Sequence, residues 1–109
     1  MKIAPFPFQT LDWGSIKKEE HKGTTGFAQW QVFMMNDIRI RLVTYSAGYA
    51  ADHWCSKGHI IYCLEGEMQT TLEDGTTHQL TAGMTYQVGD NCKAHQSESI
   101  NGCKLFIVD

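Results

Sequence analysis

The 109-residue chain is 42% hydrophobic and 19% charged, with nine basic against twelve acidic side chains and a net charge of −3. This describes one globular domain and not a disordered segment. Neither nucleic acid nor a membrane is expected as a partner, because the surface is not cationic and no apolar run approaches the roughly 20 residues of a membrane helix.

The N-terminal residues Met1 to Phe6 hold no long apolar stretch, so no secretory signal and a cytoplasmic location are expected. Residues 1–26 read as an arm that packs on the main domain or on a partner through Phe6, Phe8, Leu11, Trp13 and Ile16. Within it, Ser15 to Glu20 suggests a short helix, closed by Gly23 and Gly26. From Phe27 onward the pattern is β throughout. Trp30, Val32 and Met34 alternate with Gln31 and Phe33, and Asn36-Asp37 makes a turn. Ile38 to Tyr45 begins as strict apolar/polar alternation, the mark of a half-buried strand. His59 to Leu64 is rich in β-formers and is read as ending at Glu65-Gly66-Glu67. Met68 to Leu72 then runs through the hairpin signal Asp74-Gly75 into Thr77 to Leu80. Met84 to Val88 and Lys104 to Val108 complete the set. Short strands, frequent glycine turns and no long helix predict an all-β, antiparallel sandwich or barrel.

Four cysteines occur, Cys55, Cys63, Cys92 and Cys103, with no Cys-x-x-Cys pair. Reduced thiols are expected, Cys63 and Cys103 as small core residues and Cys92 in a loop. Of the five histidines, His53 and His59 fall within seven residues of each other, with Cys55 between them. On a strand, His53 and Cys55 would share a face, and His59, opening the next strand, could return to the same pocket. Imidazole and thiolate are the usual donors for transition metals. His78 is read as solvent-facing, Trp54 and Tyr62 as packing in the core or at an interface, and His21 carries no signal.

The segment Gly48 to Glu67, with His53, Cys55, His59 and Gly66, resembles the first motif of the cupins: Gly, His-x-His, Glu and, after six residues, Gly. Cys55 stands where the second histidine usually is and His59 where the glutamate is. Leu72 to Gly75 is similar to the hairpin between the two cupin motifs, and Leu80 to Met84 to the entry of the second, whose histidine His95 would match. More narrowly, Asp52-His53-Trp54-Cys55 is similar to the small cupins labelled by an Asp-His-Cys-Trp motif.

The resemblance implies a cupin-type antiparallel β-barrel, a jelly roll or double-stranded β-helix like RmlC, over residues 27–109. It implies a divalent transition metal, zinc, iron or nickel, on His53, Cys55, His59 and His95. Three imidazoles and a thiolate keep the ligand charge of the usual three-His, one-Glu set while softening the donors. Cys55 either ligates, giving a closed structural zinc site, or stands back and leaves open positions. The expected function is a metal-dependent, oxygenase-like enzyme on a small molecule, or else a non-catalytic module with structural zinc; no catalytic residue is assigned. A small-molecule ligand and a homodimer are the expected partners.

Overall fold

The computed structural model describes residues 2–109. A short 3-10 turn, Trp13–Ser15, precedes nine strands: β1 Glu19–Lys22, β2 Phe27–Met35, β3 Ile38–Tyr45, β4 Tyr49–Ala50, β5 His59–Leu72, β6 Thr77–Thr81, β7 Thr85–Val88, β8 His95–Ser99 and β9 Cys103–Val108. All pairings are antiparallel, in the order β1-β2-β3-β9-β5-β8-β4, with β6 and β7 also paired to β5. The sheet curls on itself. Thr25 bridges Ala50, and the Thr24 amide donates to the Ala50 carbonyl at 2.8 Å, so the β2 end meets the β4 end. No helix among the described residues is long and apolar enough to cross a membrane.

The organising element is β5. Its first half lies between β9 and β7, its second between β8 and β6. The sequence pattern separates these halves at Gly66, yet they form one 14-residue strand. The register shifts between Cys63 and Glu65, and Gly66 takes φ +75°. This bulge bends the strand from one half of the barrel to the other while hydrogen bonding continues. A β-carbon on Gly66 would run into the Gly102 carbonyl. Before the bulge, His59, Ile61 and Cys63 are buried and Ile60, Tyr62 and Leu64 exposed, as the alternation predicts.

The core is Ala28, Val43, Ile61, Cys63, Met68, Leu105 and Ile107, with Tyr49, Leu80 and Cys103 at its margins. Each fully buried large side chain contributes roughly 1.5–3 kcal/mol. Burial pushes the Cys103 thiol up to about 12. All four cysteines are free thiols. Trp54 and Tyr62, at 50% and 40% exposure, are not part of this chain's core.

One further expectation is corrected. The helix over Ser15 to Glu20 is replaced by the 3-10 turn and the edge strand β1 paired to β2. Asp12 caps the turn by accepting from the Gly14 amide at 2.9 Å. A six-residue helix is too short to hold itself in water, whereas an edge strand gains ladder bonds at once. In β3 the apolar alternation does not mark the inner face. Arg41 and Val43 are buried, while Ile38, Ile40 and Leu42 are half-buried on the outer face. Leu42 there pairs opposite Phe106. Trp13 meets Phe106 edge-on at 6.3 Å, and the Gln31 side-chain Nε2 donates to the Trp13 and Ile16 carbonyls. The lead-in segment thus covers apolar residues outside, and the arginines turn inward.

Candidate metal centre

Three donors converge at one end of the barrel. His59 opens β5 and His95 opens β8, each as the first strand residue after a loop. Cys55 lies in the connection between β4 and β5, held against β8 by a two-bond bridge: the Cys55 amide donates to the His95 carbonyl at 2.8 Å, and the His95 amide to the Cys55 carbonyl at 2.9 Å. The Asn91 amide donates to the Ser56 carbonyl and the Gly58 amide to Asp90 Oδ1. The ligand atoms of Cys55, His59 and His95 lie within 4.8 Å of one another.

The hydrogen bonds assign the free nitrogens. His95 Nδ1 is 2.8 Å from the Lys93 carbonyl oxygen, which only accepts, so Nδ1–H donates. Nε2 is then the lone-pair nitrogen. It is buried without any hydrogen-bond partner. Burial lowers the His95 pKa against the pull of the Lys93 carbonyl, and His59 lowers it further. His59 Nδ1–H donates to Asp109 Oδ2 at 2.9 Å, leaving His59 Nε2 directed at Cys55 Sγ, 3.4 Å away. Two imidazoles fixed through Nδ1 with their Nε2 atoms beside a thiol match the ligand orientation of protein metal sites. The unpartnered His95 Nε2 is the observation that fits a metal: a buried lone pair left empty is costly.

Asp109, whose side chain is fully buried, anchors His59. It also accepts from Arg39 Nε at 2.9 Å, Arg39 Nη2 at 3.1 Å and Arg41 Nη2 at 2.8 Å. Burial opposes its ionisation, but the bonds from His59 and Arg39 and the charges of Arg41 and Arg39 hold its carboxyl well below the usual carboxylate range. Both guanidinium groups lie over Trp30, at 4.4 Å for Arg41 and 5.5 Å for Arg39. Tyr86 stands edge-on to His95 at 6.2 Å, its hydroxyl buried without a partner and pushed up to about 12 by burial. The donors, both arginines and Tyr86 line one cavity of about 120 Å³.

Of the four sequence candidates, the structure brings Cys55, His59 and His95 together and does not bring His53 into the group. Residues 51–58 form bends and an isolated bridge, not a strand, so the shared face expected for His53 and Cys55 does not arise. The His53 side chain is 67% exposed, and its Nδ1 pairs with Asp52 Oδ1 at 2.7 Å, which lowers the Asp52 pKa. It does line the same cavity. Asp109, Arg39, Arg41 and Tyr86 are functional candidates that the sequence reading did not single out. The alternation over Ile38 to Leu42, which puts Arg39 and Arg41 on one face of the strand, was the one available signal.

No family model matches the chain, and no curated protein does. Solved structures do. A cupin-2 domain containing protein from Shewanella frigidimarina is 23% identical, with a TM-score of 0.60 over 73% of this chain and 78% of that one. An RmlC-like cupin from the same organism is 19% identical, with a TM-score of 0.67 over 87% and 83%. The chain has the cupin fold. A predicted oxalate decarboxylase from Thermotoga maritima, 16% identical, matches this cupin fold at a TM-score of 0.77 over 92% and 96%. The narrower likeness to the Asp-His-Cys-Trp cupins gains no support, and here tryptophan precedes cysteine. His59 and His95 open β5 and β8, the strands that carry the two motifs of the resemblance, and Cys55 lies in the connection before β5.

Proposed function

We propose that this cupin holds a divalent transition metal, zinc, iron or nickel, on Cys55, His59 and His95, and acts with it on a small molecule in the barrel cavity by oxygenase-like chemistry. The observation that carries the reading is the buried His95 Nε2, unpartnered and converging with His59 Nε2 and Cys55 Sγ. Three protein donors leave coordination positions free, the arrangement of catalytic and not of structural sites. Such a metal supplies Lewis acidity and, as iron, redox chemistry with O₂. The protein's own residues do the rest. Asp109 fixes the His59 ring and the Lys93 carbonyl fixes His95. Tyr86 stays protonated at neutral pH and packs edge-on against His95. Cys55, His59 and Asp109 also form a thiol–imidazole–carboxylate chain, the arrangement of an activated nucleophile. That use would leave His95 Nε2 without a role, so the metal reading accounts for more of the site.

A closed structural zinc site is the second reading, favoured by one observation: His53 lines the same cavity. Elemental analysis of untagged protein separates the two. Near-stoichiometric metal is expected in the wild type and in His53→Ala, with loss in Cys55→Ala, His59→Ala and His95→Ala. Loss in His53→Ala as well would favour the closed site. No metal in any sample after reconstitution would remove both.

A further inference from the structure

The cavity beside the three donors carries a charge pattern that they do not explain. Arg39 and Arg41 both face it from β3, and no aspartate or glutamate lines it. Asp109 stands behind the arginines, its side chain fully buried, and balances only one of the two positive charges. Arg41 is almost fully buried, at 5% exposure. Its Nη2 is committed to Asp109, but its Nε–H is buried with no acceptor. A buried guanidinium normally has its donors paired, because an unmade bond to a charged group costs more than about 1–3 kcal/mol. The Trp30 ring covers one face of the guanidinium and leaves its donor edges free of the ring. A planar carboxylate accepts from such an edge in the guanidinium plane.

We propose that Arg41, with Arg39 beside it, is a recognition site for a small carboxylate ligand in this cavity. The inference rests on the reading of the cavity as a ligand site beside the metal and names the class of molecule it admits. At about 120 Å³ the cavity is well below the roughly 300 Å³ at which drug-sized sites begin, so the ligand is a compact acid. Arg41 accounts for orientation: the carboxylate binds at the β3 wall, and the rest of the molecule extends toward Cys55, His59 and His95. The fixed site charge, two arginines against one aspartate, favours an anion over its neutral analogue.

The test follows the Arg41 Nε–H resonance by ¹H–¹⁵N NMR while malonate is added to as-purified and to chelator-treated protein, with neutral malonamide as the control. A saturable shift of that resonance with malonate, absent with malonamide, is expected in both preparations. Arg41→Lys, which keeps the charge near Asp109 but removes the planar fork, should bind malonate about tenfold or more weakly in calorimetry, with an unchanged circular dichroism spectrum. The wild-type NMR result stands on its own should that variant fold poorly. An Arg41 resonance that stays still, or moves equally with malonamide, overturns the inference even if metal is bound. A malonate-specific shift in protein that takes up no metal upholds it while the metal reading falls.

Discussion

At the scale of single residues, the site depends on Asp109 as much as on the donors. One carboxylate accepts from two arginines and a histidine in a fully buried position. Removing its charge leaves the buried Arg41 and the half-buried Arg39 without a counter-ion, and breaking a buried pair costs about 3–5 kcal/mol. Asp109→Asn is therefore expected to lower the unfolding free energy by that order in denaturant titration. Because the same oxygen holds the His59 ring, metal affinity measured by competition with a chelator should fall about 10–100-fold. These residues explain why the network was invisible in the sequence while part of the donor set was legible. His53, Cys55 and His59 lie within one short window, and His95 came through a motif resemblance. Asp109 reaches His59 across 50 positions and Arg39 across 70, and no local pattern reports such a meeting. His53 illustrates the converse. Its proximity in sequence suggested a ligand, but the chain bends at Asp52 and His53, and the strand geometry on which the suggestion rested is not there.

Among the elements, β5 holds the site and the barrel together. It starts at His59, crosses both halves of the sheet and pairs with four other strands. Most strands were legible because alternation and turn residues speak locally: the Asn36 and Gly75 turns sit where the pattern put them, both with positive φ. Gly66 misled because a glycine with positive φ serves a turn and a bulge equally well, and only the partner strand distinguishes them. The face of β3 was ambiguous for a similar reason. Alternation gives the period, not which side the barrel closes on. The bulge makes a sharp prediction. Gly66→Ala forces a side chain into a left-handed backbone and against the Gly102 carbonyl. It should lower stability by about 2–3 kcal/mol, seen as a reduced denaturant midpoint with an unchanged slope. Gly75→Ala, with the same positive φ but open space around it, should cost about 1 kcal/mol.

For the whole molecule, the three donors come from separate segments: the connection between β4 and β5, the start of β5 and the start of β8. A metal held among them ties those segments together only in the folded state, so binding adds to folding stability by mass action. At a free metal concentration 100 times the dissociation constant the gain is about 2.7 kcal/mol, and for a domain of this size the melting temperature rises on the order of 10 °C. Chelator treatment should lower the melting temperature by that amount, and readdition of metal should restore it in a concentration-dependent way. In Cys55→Ala the chelator should have little effect. The fold alone does not carry this expectation, since cupin folds serve many functions; the donor cluster carries it.

X-ray absorption spectroscopy at the edge of the metal found in the purified protein reads the ligands of the centre directly. One sulfur neighbour is expected, at about 2.3 Å if the metal is zinc, with imidazole nitrogens at about 2.0–2.1 Å. The sulfur contribution should vanish in Cys55→Ser. A shell of nitrogen and oxygen alone in the wild type, or a sulfur signal that persists in Cys55→Ser, would contradict a centre built on Cys55, His59 and His95.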